Sequence, residues 1–180
     1  MGMDMLNRRL FLTALGAVAL AESLPGQAAA AAADRLKQLG ITLPTAAAPI
    51  ANYVPFVRSG NLLVISGQLS AGPQGVITGK LGGGVSIEDG QKAARQAAIN
   101  VLAQIQAATG DLDKVVRVVR LGGFINCTPD FADAAKVMNG ASDLMVEVFG
   151  DKGRHSRSTI GVAALPAHAC VEVEALVEVA

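Results

Sequence analysis

Arg157-Ser158-Thr159-Ile160-Gly161-Val162-Ala163-Ala164-Leu165-Pro166, followed by Val171-Glu172-Val173-Glu174-Ala175-Leu176-Val177-Glu178-Val179, decides how this chain is read. The first segment is an apolar β-run, Ser158–Ala164, entered through an arginine and closed by a Leu-Pro turn. The second alternates apolar residues with carboxylates, the period of a strand with one buried face. Valines 171, 173, 177 and 179 are expected to face helices, which leaves Glu172, Glu174, Leu176 and Glu178 on the other side. A guanidinium is a fixed fork suited to a carboxylate. A glutamate near it can pass protons to and from water. Arg157 and Glu172 are therefore the candidate chemical pair, for a small anionic substrate and acid–base chemistry. If the two strands pair across Leu165-Pro166, an odd-sum register puts Arg157 and Glu172 on one face, and a one-residue slip separates them. The residues leave both registers open.

Working upstream, Thr128-Pro129 reads as the opening of a helix with proline in its first turn. Phe131, Ala135, Met138, Ser142, Met145 and Phe149 mark its buried stripe, and Asn139-Gly140 is a place for a kink. Before it, Val115–Ile125 is a β-branched strand. Ser86 is an N-cap with Glu88 and Asp89 in the first turn, and Ile87, Ala94, Ala98, Val101, Ile105 and Ala108 recur at helical spacing up to Gly110. Lys80–Gly84 is glycine-rich but lacks the Lys-Ser/Thr of a phosphate-binding loop, so it reads as a plain connection. Gly72-Pro73-Gln74-Gly75 is a turn before a short strand, Val76–Thr78. Tyr53–Arg58, Ser59-Gly60-Asn61 and Leu62–Gln68 read as strand, turn and strand, with Leu62-Leu63-Val64-Ile65 apolar enough to be covered on both faces. Asp34–Leu39 is a short helix ended by Gly40. The order β-β-(β)-α-β-α-β-β implies an α+β domain, a mixed sheet with two helices on one face.

The 180 residues suit one domain, with residues 49–180 as its body and 34–48 as a linker or short N-terminal segment. Residues 1–33 read as an export signal: Arg8-Arg9 precede Phe11-Leu12 in the manner of a twin-arginine leader, and the apolar run from Leu10 to Ala21 is too short for a permanent membrane span. That reading places the mature protein in the periplasm or otherwise outside the cytoplasm; if the leader is not a signal, the protein is cytoplasmic. Lys+Arg and Asp+Glu number 15 each and aromatics make up 3%, which argues against a nucleic-acid partner. Cys127, Cys170, His155 and His168 have no metal-ligand spacing, so no metal is expected. The cysteines read as small buried hydrophobes, with a disulfide open to them in an oxidising compartment. Thr159, Gly161, Ala163 and Leu165 should share a face with Arg157, a surface too apolar to stay wet and so expected to bury against identical copies.

Taken together, Tyr53 upstream of Gly60-Asn61, Ser66-Gly67-Gln68, the long helix, Arg157-Ser158, Val162–Pro166 and Val171–Ala175 resemble the reactive intermediate deaminase family (RidA, formerly YjgF), also labelled endoribonuclease L-PSP, over roughly Pro49 to the C-terminus. Gly153–Arg157 and the longer second helix mark a divergent branch. The resemblance implies a chorismate-mutase-like fold, a homotrimer with clefts between subunits, and hydrolysis of enamines and imines such as 2-aminoacrylate to 2-keto acids and ammonia. It implies no cofactor and a small carboxylate as partner. By matching position, Arg157 would hold the substrate carboxylate and Glu172 would position and activate water. Tyr53 would reach in from a neighbour, and Ser66 and Gly67 would line the cleft. Thr159 stands where relatives often carry cysteine. Asn139 is nearest to the family's second-helix asparagine, with Ser142 its rival. The competing readings are a non-catalytic carboxylate-binding protein and an endoribonuclease, the latter disfavoured by neutral charge.

Overall fold

A computed structural model of the chain describes residues 31–49 and 51–180. The expected leader lies almost wholly outside the described residues. Among the described residues, no helix is long and apolar enough to cross a membrane. The elements are α1 (Ala32–Gln38), β1 (Phe56–Ser59), β2 (Leu62–Leu69), β3 (Ala71–Gly72), β4 (Gly75–Val76), α2 (Ile87–Thr109), β5 (Val115–Asn126), α3 (Ala134–Phe149), β6 (Ser156–Val162) and β7 (Val171–Val179). Five strands form one sheet in the order β1-β2-β7-β5-β6, and β3–β4 is a separate hairpin. Every pairing in the large sheet is antiparallel except β5–β6. Helix α2 packs on β2 and β7, and α3 on β5 and β6, so both helices cover one face. This is the α+β arrangement that the sequence order implies.

The core is the layer between helices and sheet. Ser86 Oγ accepts from the Asp89 amide at 3.1 Å to start α2, and Gly110 ends it at φ 75° with its amide on Gln106 O. Ala94, Ala98, Val101 and Ile105 are all fully buried on α2, and Val171, Val173, Val177 and Val179 of β7 meet the same core. Cys127 and Cys170 are separate buried thiols. Burial pushes the Cys170 thiol up to about 11, so it stays protonated at neutral pH.

Several boundaries differ from the sequence reading. Helix α3 begins at Ala134, not at Thr128-Pro129, because the Thr128 amide is held by Leu81 O and the Phe131 amide closes a turn onto Thr128 O. Ala135 accordingly is exposed, and the buried stripe is Val137, Met138, Ala141, Leu144, Met145, Val148 and Phe149. Strand β1 begins at Phe56, since Tyr53 turns back on Ala51 O and Pro55 has no amide to give a ladder. Leu62 and Val64 are 41% and 48% exposed while Leu63 and Ile65 are 1%, so β2 is covered on one face only.

Helix α3 runs unbroken through Asn139-Gly140. Gly140 is there because α2 crosses it: a Cβ at this position would overlap the Gln91 carbonyl. Alanine normally gains about 1 kcal/mol over glycine inside a helix. Here overlap with backbone outweighs that gain, so Gly140→Ala is expected to destabilise by about 1–3 kcal/mol, read as a lowered thermal midpoint.

The largest revision concerns the closing strands. β6 and β7 do not pair with each other. β5 lies between them, parallel to β6 and antiparallel to β7. The connection after β6 therefore crosses the end of β5, through a turn at Pro166–His168 in which Ala167 and His168 take φ 51° and 54°. The face of the sheet without helices carries Val57, Leu62, Val64, Phe124, Ile160 and Leu176 beside Arg117, Arg120, Glu172, Glu174 and Glu178. It is mixed apolar and charged, but Ile160 stands on it rather than Thr159 or Gly161, which alternate to the helix side with Arg157.

Candidate active site

Glu172 sits near the start of β7 on the open face, opposite Leu69 of β2 and Phe124 of β5. A bulge in β2 sets its surroundings. Ile65 pairs with Ala175 and Gln68 with Val173, so Ser66 and Gly67 together oppose Glu174. Gly67 leaves the room in which the Glu172 carboxylate lies, and an added Cβ there would overlap Glu172 Oε1. Gly122 does the same for Glu174, whose Oε1 would be 2.5 Å from a Cβ. Two carboxyls two residues apart on one strand thus rest over two glycines. Burial raises the Glu172 carboxyl above the usual range, and the neighbouring Glu174 charge adds to it.

Ser66 is tied to the segment before β1: its amide donates to Pro55 O and its hydroxyl to Val54 O, at 3.0 and 2.8 Å. That bond fixes the approach of Tyr53, which is 48% exposed. Tyr53, Pro55, Gly67, Gln68 and Leu69 line a groove of about 220 Å³ along the edge of β2 that β1 leaves open. Gly67 and Glu172 therefore meet directly, while the groove that Tyr53 lines also takes in Ala47, Ala48 and Asn100 of α2 and includes neither Ser66 nor Glu172.

Arg157 belongs to a second cluster, on the opposite face. It pairs with Leu121 of β5 and turns toward α3, where Nη1 donates to Ser142 Oγ at 2.9 Å and Nη2 to Ala135 O at 3.0 Å. Two of its five N–H groups are used, and the residue stays exposed with three left over. Asn139 is exposed on the same α3 face, between Ala135 and Ser142 at helical spacing. Thr159 follows Arg157 on the same side of β6, and its Oγ1 is buried with no partner. Lys80, from the glycine-rich loop, ties off this edge by donating to Ala163 O at 2.6 Å. Among the described residues, no group of three or more His, Cys, Asp or Glu side chains is arranged to hold a metal.

The geometry thus separates the candidate pair: Arg157 and Glu172 do not share a face of this sheet. Ser142, which bonds Arg157, and His155, which bonds Ser142, escaped the sequence reading in these roles. Ser142 stood there in the helix's buried stripe and as a rival to Asn139, and His155 only among residues without metal-ligand spacing; the i, i+2 spacing of His155 and Arg157 was the available sign that both lie on one side of an extended segment.

A model of the "YjgF/chorismate mutase-like, putative endoribonuclease" family matches residues 33–179. The chain belongs to this family. Among its relatives is "Protein TCP17" of Trypanosoma cruzi, 53% identical over 148 residues, 81% of this chain and 92% of that protein. The "2-iminobutanoate/2-iminopropanoate deaminase" of Dermatophagoides farinae is 32% identical over 139 residues, 76% of this chain and 93% of the relative. Of solved structures, a "putative endoribonuclease" from Shewanella oneidensis superposes with a TM-score of 0.81 at 32% identity, covering 83% of this chain and all of that one. The family expected from the sequence and the fold thus agree with these matches, and the names of the relatives span deaminase and putative endoribonuclease.

Proposed function

We propose that the protein hydrolyses small enamine and imine acids of the 2-aminoacrylate type to 2-keto acids and ammonia, in clefts between the subunits of a homotrimer. The observation that carries this reading is the split placement of the site. One protomer offers a guanidinium with three free donors on one side and, on the other, a half-buried carboxyl that burial pushes above the usual carboxylate range. The two lie on opposite faces of one protomer's sheet, and a neighbour that laid its β6 edge against the open face would set Arg157 of one copy beside Glu172 of the next. The exposed Val57, Leu62, Val64 and Ile160 give that face a reason to be covered. The 32% identical deaminase, named for imino acids, supports the substrate class.

In the reaction, an enamine acid first gains a proton on its terminal carbon as its nitrogen gives one up, which makes the 2-imino acid, and water then adds across C=N. Its oxygen bonds to the imine carbon, one proton goes to nitrogen, and the carbinolamine collapses with C–N cleavage to keto acid and ammonia. Arg157 grips the carboxylate and fixes the reacting carbon. Glu172 takes a proton from water and returns one to the departing nitrogen. Thr159, two residues on from Arg157 on the same side of β6, has a buried Oγ1 with no partner and so a hydrogen bond left to offer. The bulge at Ser66-Gly67 walls the Glu172 end of the cleft, and Tyr53 reaches in from a neighbouring copy.

The test is complementation. Arg157→Ala and Glu172→Gln copies, each inactive as pure assemblies, are unfolded, mixed in equal amounts and refolded. If each cleft draws the two residues from different copies, about a quarter of the clefts regain both, and ammonia release returns in proportion. Mixtures as inactive as the parents reject the shared cleft. Binding of 2-oxobutyrate by the unaltered protein without ammonia release from freshly generated 2-aminoacrylate favours a binding protein instead.

A further inference from the structure

His155 precedes β6 by one residue and is half-buried against α3. Its Nδ1 lies 2.6 Å from Gly153 O, and its Nε2 lies 3.1 Å from Ser142 Oγ. A carbonyl oxygen can only accept, so Nδ1 carries the proton that makes the first contact. In a neutral ring Nε2 is then an acceptor, and Ser142 must spend its single hydroxyl hydrogen on it. The lone pairs of Ser142 Oγ are thereby turned to Arg157 Nη1, 2.9 Å away. Each donor and acceptor in the row has one role that fits, and the row runs in one direction: Arg157 to Ser142 to His155 to Gly153. Gly153 itself is pinned, since a Cβ there would overlap Met145 O of α3. Burial and the nearby Arg157 charge hold the imidazole below its ordinary range, while the Gly153 bond opposes them, and the net direction agrees with a neutral ring.

We infer that His155 is a positioning residue, which acts through Ser142 to hold the Arg157 guanidinium in the one orientation that presents its remaining donors to a substrate carboxylate. The inference rests on the proposed use of Arg157 as carboxylate anchor. Ala135 O fixes one nitrogen of the fork; without Ser142 the plane is free to rotate about that single bond. A positioning residue of this kind governs how well the acid is held, not the proton transfers at the far end of the cleft.

The experiment uses the full chain and separates binding from turnover. Equilibrium titration with 2-oxobutyrate is made on the unaltered protein and on Arg157→Ala, Ser142→Ala, Ser142→Thr, His155→Phe and the Ser142→Ala/His155→Phe double variant. Ammonia release from 2-aminoacrylate gives kcat and KM for each. Nitrogen-15 spectra of the histidine rings give the tautomer. The expected results are a neutral, Nδ1-protonated His155, a loss of affinity and rise in KM of about tenfold for Ser142→Ala and for His155→Phe, and kcat within about twofold. The double variant should be no worse than either single one, and Ser142→Thr should retain binding. An Nε2-protonated or cationic ring overturns the inference, as does carboxylate affinity that depends on Arg157 but not on Ser142 or His155. If the unaltered protein binds the acid with this pattern yet releases no ammonia, the deaminase reading falls and the positioning role stands. If it binds no acid at all, both fall.

Discussion

Replacing Arg157 by alanine should lower kcat/KM for 2-aminoacrylate by about 10²–10³-fold. A charge-assisted hydrogen bond is worth about 1.5–3 kcal/mol, and a forked pair to a carboxylate supplies two of them in a fixed plane. Taking about 3–4 kcal/mol from transition-state binding gives that range, since each 1.4 kcal/mol is tenfold. Arg157→Lys should recover little. An ammonium has no planar fork, so it cannot bond Ser142 Oγ and Ala135 O as the guanidinium does and still meet a carboxylate with two parallel donors. The fold should tolerate both changes, because Arg157 is exposed on an edge strand and takes no part in the core. Near-normal ammonia release by purified Arg157→Ala would remove the residue from the mechanism.

Glu172→Gln should lower kcat by about 10²–10⁴-fold, the usual worth of a general acid–base group. Here stability and activity should part. Burial raises the Glu172 carboxyl in the folded chain, so the native state holds its proton more firmly than the unfolded chain does. The unfolded state then binds fewer protons across the window between the two values, and stability from this residue falls as pH rises through it. At neutral pH the native protein carries a half-buried charge that glutamine does not have. The variant should therefore melt no lower than the unaltered protein near pH 7 and lose any advantage in acid. In the unaltered protein, kcat should rise with pH along a limb displaced above the ordinary carboxylate range, as the base form of Glu172 appears. Glu174→Gln removes the like charge that is the second cause of the displacement, so the limb should move to lower pH. A limb that stays where it was in Glu174→Gln would mean that some other group controls the rate.

Much of the fold was readable because it rests on local rules. Ser86 and Gly110 bound α2 by capping chemistry, and the valines of β7 declare their buried side by alternation. Boundaries failed where a distant residue decided them. Nothing near Thr128 says that its amide belongs to Leu81, and nothing in Leu62–Ile65 says that one side stays bare. The closing strands failed for a topological reason. Leu165-Pro166 looks like a hairpin turn, yet β5, some forty residues earlier, is the better neighbour for both strands. At the site, residue types and order pointed to Arg157, Glu172, Ser66 and Gly67, and the bulge explains why Gly67 must lack a side chain. The division of those residues between two faces was beyond reach, since it depends on the registers of β6 and β7 with β5 and not on any pairing of the two with each other.

The one-sided sheet has a consequence for the life of the chain. Among the described residues, the buried core of a protomer lies between the strands and the helices on one side of the sheet. Under the proposed function, a lone protomer would hold its anchor and its proton shuttle back to back and so be chemically silent. Under the proposed assembly, competence arrives only at association, so dilution to the point of dissociation should extinguish catalysis while leaving the circular dichroism of the backbone unchanged. Such a protein keeps time by its own concentration: the onset of chemistry is collective and late.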